Sequence, residues 1–284
     1  MTTLLLATFA LLPEGEPGGD LLVAELAARG VDARWACWDD PAVDWAAADL
    51  VAVRSTWDYH RRCADFLDWA RAVEKGTPLL NGAEVFAWNA DKAYLAGIAD
   101  RVPVVPTSLL DDRTLVAGLG AAIDRFGPVV VKARTGASGV GVVQAERTDD
   151  QRLSGLTAGP WIVQPLVESV RTRGETSVFV LGGAAVSQVD KLPGAGEIRV
   201  HEEYGGVSRP VPLADEPAAV AVAAMGEVSA LLGVELDYGR VDLMELDGRL
   251  VVSELELIEP GLYLDVLPGN AGPYADLVAA RASG

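Results

Sequence analysis

Histidine and cysteine are almost absent from this 284-residue chain, which carries two of each. Cys37 and Cys63 show neither a CxxC pair nor ligand-type spacing, so no structural zinc is expected and a reducing compartment fits. With only His60 and His201 there is no triad-like cluster, and the chemistry must rest on other groups. Cations are scarce as well: 23 Lys and Arg against 41 Asp and Glu leave a formal net charge of −18. That balance excludes nucleic acid and anionic membrane as bulk partners, which need clustered Lys and Arg. A small anionic ligand is not excluded, because it needs only a few cations in the right place. The opening "LLLATFALL" is too short to span a bilayer, follows no basic residue and precedes no small-x-small cleavage site. It reads as a first buried strand, in a chain expected to be cytoplasmic. Internal repeats and low-complexity linkers are also lacking.

What is present begins with alternation. Leu4–Leu11, Val31–Cys37 and Leu50–Arg54 read as strands, and Asp20–Arg29 and Asp65–Lys75 as helices. "TPLLN" (Thr77–Asn81) reads as a further short strand. Such alternation predicts a parallel sheet flanked by helices, where ligands collect at the carboxyl ends of strands. "RSTWDYH" follows the third strand at that edge, so Arg54, Ser55, Trp57 and Asp58 are candidate substrate contacts. A Trp-anchored loop with an Arg–Asp pair is the competing reading. Beyond Trp88 the spacing predicts helices over Ala90–Ile98, Leu115–Phe126 and Pro217–Leu232, with strands and hairpins between them. The fold class is therefore α/β at first and α+β afterwards.

Three stretches carry chemistry. In "VVVKARTGASGVGVV", Lys132 ends an apolar run, and Gly136, Gly139 and Gly141 follow with Thr135 and Ser138 among them. Glycines let backbone N–H groups converge on an anion, and a neighbouring lysine adds a point charge suited to phosphate. The lysine precedes the glycines and a strand follows, so neither a Walker loop nor a dinucleotide fingerprint is present. In "KLPGAGEIRVHEEYGG", Lys191 and Arg199 sit beside a glycine-bearing loop and read as clamps on a phosphoryl group.

The third stretch is "RVDLMELDGRLVVSELELIEP", a hairpin with Asp242 on one arm and Glu254 and Glu256 on the other. A two-residue Asp247–Gly248 turn would place Asp242 and Glu254 on opposite faces. A three-residue loop that pairs Glu245 with Arg249 brings them to one face, and this register is the expectation. Three carboxylates on one buried face repel each other unless a cation sits between them, and hard oxygen ligands suit Mg²⁺. A solvent-facing acidic strand is the alternative.

In order, these motifs resemble the ATP-grasp superfamily, on its glutathione-synthetase and D-alanine–D-alanine-ligase side. That resemblance implies a parallel-sheet domain over residues 1–86, followed by a two-lobed ATP-grasp fold. Its central lobe would occupy 87–165 and its C-terminal lobe, with the metal site, 166–284. "WNADKAYL" resembles the first nucleotide lysine and implies that role for Lys92. Lys132 and the loop Thr135–Gly141 would hold phosphates, and "WIVQPLV" would hold adenine through Gln164 and Leu166. Glu175 or its rival Glu168 would bind ribose. Arg199, helped by Lys191 and Arg240, would act on the transferred group. Asp242, Glu254 and Glu256 would hold one or two Mg²⁺ ions, although the family commonly has Asn in place of Glu256.

Within the superfamily, "RSTWDYH", "WNADKAYL" and "ELELIEPGLYL" look similar to the D-cycloserine-forming ligases. The resemblance implies ATP-dependent activation of a small amino acid's carboxylate as an acyl phosphate and closure onto a nitrogen of the same molecule. Intermolecular ligation, a phosphotransferase that stops at a phosphorylated product, and a nucleotide-binding protein without turnover are the other readings. A homodimer is the assembly the resemblance suggests.

Overall fold

The computed structural model describes residues 2–282. The first strand, β1 (Thr2–Thr8), is flanked by β2 (Val31–Cys37) and β3 (Leu50–Ser55) in a parallel sheet of order β2-β1-β3. The helix α1 (Gly19–Ala28) crosses between β1 and β2, and α2 (Cys63–Glu74) follows β3. Successive β1 side chains point to opposite faces, so Leu4 and Leu6 join one core while Ala7 joins another with Val51, Val53, Phe66 and Phe86. "TPLLN" is not a strand: it contributes only a parallel bridge from Leu79 to Val51.

The helix expected over Ala90–Ile98 is also corrected. The chain forms α3 (Ala83–Asn89), a turn, and the short α4 (Tyr94–Gly97). Asn89 ends α3 because its side-chain amide bonds the strand beyond, donating to Leu255 O at 2.9 Å and accepting from Leu257 N–H at 2.9 Å. The turn that follows carries Lys92, whose backbone N–H donates to Arg134 O at 2.8 Å.

A four-stranded antiparallel sheet comes next, of order β4-β7-β5-β6. It contains β4 (Ser108–Leu110), β5 (Val129–Ala133), β6 (Val143–Ala145) and β7 (Trp161–Pro165), backed by α5 (Leu115–Phe126). A five-stranded sheet of order β10-β9-β8-β11-β12 completes the fold. Its members are β8 (Glu175–Leu181), β9 (Ala184–Leu192), β10 (Val207–Val211), β11 (Tyr238–Leu246) and β12 (Arg249–Glu256). The helix α6 (Asp215–Leu232) buries Ala221, Ala224, Met225 and Val228, a stripe at i, i+3, i+4, i+7 that covers β8, β11 and β12. The last helix, α7 (Ala271–Arg281), returns to the N-terminal sheet, where Asp276 pairs with Arg29 of the α1 C-terminus at 2.6 Å. Among the described residues no helix is long and apolar enough to cross a membrane.

The register of β11 and β12 decides where the acids point, and it differs from the expectation. Leu246 pairs with Arg249, so the turn has two residues, with Asp247 and Gly248 both at positive φ (52° and 77°). That is the turn preferred by Asp-Gly, whose twist matches the flanking strands. The phase is then shifted by a bulge: Leu243 pairs with Val252 and Asp242 with Glu254, leaving Ser253 as the extra residue. Asp242 and Glu254 therefore share a face, and Arg240 stands directly opposite Glu256.

Candidate active site

A cavity of about 420 Å³ opens between the four- and five-stranded sheets and reaches the edge of the N-terminal sheet. Lys132 enters it from β5, Gln164 from β7, Glu175 from β8, Lys191 from β9, Arg240 and Asp242 from β11, and Glu254 and Glu256 from β12. The alternation of β11 and β12 explains this convergence: Val241, Leu243, Val252 and Leu255 face the α6 core, so the polar residues between them face the cavity.

Lys92 links two parts of the site. Its ammonium donates to Gly136 O at 2.6 Å and pairs with Glu254 at 3.0 Å. Burial opposes its charge most strongly of any single influence, but Glu254 together with Glu256 and Glu259 raises its pKa. The glycine loop turns through left-handed backbone at Ser138, Gly139 and Gly141, with φ of 54°, 66° and 70°. Gly136, Ser138 and Gly139 line the cavity. Thr135 and Gly141 do not: Gly141 lies against Thr157, where a Cβ would approach to 2.7 Å. Opposite the loop, Arg199 stacks on Tyr204 at 3.5 Å and pairs with Glu197, which holds the Glu197 carboxyl down at about 2. A Cβ on Gly139 would lie 3.3 Å from the Tyr204 ring, so the two loops meet over the cavity.

The acids are balanced by protein cations. Asp242 accepts from Arg240 Nε and Nη2, both at 2.9 Å, from Ser177 at 2.6 Å and from Lys191 at 3.3 Å. Burial works against its charge, but Arg240 and Lys191 hold its pKa below the ordinary carboxylate value. Lys191 also pairs with Glu175 at 2.6 Å, and Ser253 donates to Glu175 at 2.9 Å. Glu256 pairs with Arg240 too. Its pKa is nevertheless raised, by burial first and by Asp242 and Glu254, because Arg240 is already shared with Asp242. Three carboxylates on one face need a cation between them, and Lys92, Lys191 and Arg240 supply that charge.

Other candidates are placed elsewhere. Arg54 is fully enclosed: it donates to Glu16 at 3.0 Å and to Pro260 O at 2.6 Å, with the Tyr274 ring 4.6 Å away. Ser55 is buried against Thr8 at 2.8 Å. Asp58 accepts from the Trp38 indole at 2.9 Å and pairs with Arg62. None of these three lines the cavity, whereas Trp57 does. The Trp-anchored loop is thus largely structural. Gln164 donates to Thr107 at 2.9 Å, and the Leu166 N–H donates to Pro128 O at 2.9 Å; both residues line the cavity. Glu168 is exposed, pairs with Arg171 and lies outside the cavity lining, while Glu175 lines it with its carboxylate engaged. Sequence reasoning missed Tyr204, Ser253, Glu259 and Tyr263. The bulge at Ser253 has no sequence signal. Glu259 stood in the same run as the other acids, and its burial was the available clue.

The donor chemistry fits magnesium: three carboxylates lie on one face, with Glu254 and Glu256 side chains 28% and 29% exposed into the cavity. Among the described residues no three of His, Cys, Asp and Glu are gathered as a preformed metal set. A metal here would complete its shell with water and phosphate oxygens, as Mg²⁺ usually does.

Two antiparallel sheets closing on a lysine- and acid-lined cavity, with a glycine loop at its mouth, define an ATP-grasp fold. The RimK-like ATP-grasp domain model matches residues 102–263, and the chain belongs to this family of ligases. Residues 4–81 match the model of the N-terminal domain of D-cycloserine synthetase DcsG. The chain is 32% identical to the cycloserine biosynthesis protein DcsG of Streptomyces lavendulae over 89% of each chain. The crystal structure of D-cycloserine synthetase DcsG superposes with a TM-score of 0.87, at 31% identity, covering 99% of both chains. A probable alpha-L-glutamate ligase of Mannheimia succiniciproducens is 28% identical over 68% of this chain and 65% of its own length. D-alanine–D-alanine ligase from Bacillus anthracis shares the fold, with a TM-score of 0.66 at 12% identity.

Proposed function

We propose that this ligase uses ATP and Mg²⁺ to activate the carboxylate of a small amino-acid-like substrate as an acyl phosphate, then closes it onto a nitrogen of the same molecule. The observation that carries the reading is the convergence of Lys92, Lys132, the glycine loop and the three hairpin acids on one cavity. Likeness to D-cycloserine synthetase along nearly the whole chain supports a cyclic product.

In this reading residues 1–86 form the substrate side, and 87–165 and 166–284 the two lobes that grip nucleotide. Lys92 and Lys132 bind phosphate oxygens, and the glycine loop turns its N–H groups toward them. Asp242, Glu254 and Glu256 would hold Mg²⁺, which when bound offsets phosphate charge. Lys92 then exchanges its contact with Glu254 for phosphate. The substrate carboxylate displaces ADP from the γ-phosphorus. The nitrogen attacks the acyl carbon, loses a proton, and inorganic phosphate leaves. Arg199 and Arg240 stabilise the oxyanion that forms between these events. Lys191, held between Asp242 and Glu175, keeps the Asp242 carboxylate charged and fixed.

Intermolecular ligation is the second reading, favoured by the likeness to probable alpha-L-glutamate ligases. Product mass separates the two, because ring closure removes water from one substrate while ligation adds a partner. The acyl-phosphate step is tested by trapping: with ATP, Mg²⁺, a pool of small amino acids and hydroxylamine, a hydroxamate is expected in proportion to ADP. ADP release with no hydroxamate and no amide contradicts it.

A further inference from the structure

Among the described residues, Glu259 is the one buried cavity acid with no cation in contact. It is 9% exposed and lines the cavity beside Trp57, Gly261 and Glu16. The Trp57 indole donates to the Glu259 backbone carbonyl at 3.2 Å, and a Cβ on Gly261 would touch the Trp57 ring at 3.3 Å. Glu16 belongs to the same corner, accepting from the Leu262 N–H at 2.7 Å, but Arg54 neutralises it. Among the described residues no cation contacts the Glu259 carboxyl, and burial, with Glu256 nearby, raises its pKa well above the ordinary carboxylate value. Lys92, the cation that acts on it most, is already bonded to Glu254 and Gly136. Asp265, exposed at the cavity rim, adds a second acid on this side.

A buried carboxyl without a cation resists ionising, and an ammonium group set against it supplies the counter-charge that lets it ionise. The walls agree: the Trp57 and Tyr59 rings line this corner, and aromatic faces attract ammonium groups. Resting on the amino-acid ligase reading above, we propose that Glu259 binds the ammonium group of the substrate and is the residue that sets specificity at this corner. The carboxylate to be activated then points toward Lys92 and Arg240, and a second carboxylate placed against Glu259 and Asp265 is repelled. The corner therefore suits an amino acid with one carboxylate and disfavours a glutamate-like diacid.

Calorimetry on the full chain saturated with Mg²⁺ and ADP tests this. The probes are D-cycloserine, whose ring carries an amino group, isoxazolidin-3-one, the same ring without it, and L-glutamate. A charge-assisted hydrogen bond predicts that the wild type binds D-cycloserine at least about tenfold more tightly than the other two. Glu259→Gln removes that preference while leaving isoxazolidin-3-one and ADP binding unchanged, and Glu259→Asp restores part of it. Equal losses for both rings in Glu259→Gln overturn the proposal, as does a wild type that binds ADP without preferring the amine. A wild type that fails to bind ADP overturns the nucleotide reading itself, and the Glu259 proposal with it.

Discussion

Two buried arginines in this molecule both stand on strands and both pair with buried acids, yet they do opposite work. Arg54 is the penultimate residue of β3, after an apolar run, and Arg240 lies on β11 after Tyr238 and Gly239; each finds a buried acid. Arg54 is sealed, with its partner Glu16 also enclosed and Tyr238 and Tyr274 packed around the guanidinium. Burial opposes its charge, yet Glu16 together with Tyr274 and Tyr238 raises its pKa. Nothing of the pair faces the cavity except the Glu16 side. Arg240 holds Asp242 by two parallel bonds and Glu256 by another, and all three line the cavity. The difference lies in the acids: Glu256 keeps open surface, while Glu16 spends its oxygens on Arg54 and the Leu262 N–H. An enclosed ion pair anchors one element to another, here β3 to the Leu262 segment. A pair with one open acid is a site waiting for a ligand.

Replacing each arginine by methionine breaks this comparison most sharply. Arg240→Met is expected to reduce ADP formation by about 10²–10³-fold, the cost of losing one oxyanion donor. Its melting temperature should fall less than that of Arg54→Met, because Lys191 still neutralises Asp242. Arg54→Met leaves Glu16 buried without a counter-charge, a loss of about 3–5 kcal/mol and on the order of 10 °C in melting temperature. The Arg54→Met protein that remains folded should keep its kcat. Equal activity losses in the two variants would erase the distinction.

A smaller effect sharpens the same contrast at the cavity mouth. Arg199 depresses the Glu197 pKa from 4.5 to about 2, so their contact contributes stability above about pH 4.5 and loses it as pH falls toward 2. Both partners are partly exposed, which keeps the contribution modest. Melting curves should therefore show a slightly shallower acid loss in Glu197→Gln than in the wild type. An identical acid slope in the two proteins would show that the contact contributes nothing.

The sequence revealed the alternation that makes the first sheet and the order of motifs that makes the second half. Lys92, Lys132, Arg199, Asp242, Glu254 and Glu256 all line the cavity: strand alternation places Lys132, Glu254 and Glu256, while Lys92 comes from the turn after α3 and Arg199 from the loop after β9. The hairpin shows where local rules stop. Asp-Gly chemistry correctly specifies a two-residue turn, but the bulge at Ser253 is set by tertiary contacts, its hydroxyl tying Glu175 to the Asp242 carbonyl. Arg54, Ser55 and Asp58 misled for a related reason. Their partners Glu16, Thr8 and Trp38 lie 38, 47 and 20 residues away, and no local pattern announces such pairs.

The central claim is that the hairpin acids and the two lysines make one magnesium-dependent triphosphate site. Titration of a non-hydrolysable ATP analogue, with and without Mg²⁺, tests it most directly in the wild type and in Glu254→Gln. The wild type should bind at least about tenfold more tightly with the metal, and Glu254→Gln should bind the analogue with that gain lost. A wild type indifferent to magnesium, or a Glu254→Gln variant that keeps the full gain, would contradict the account.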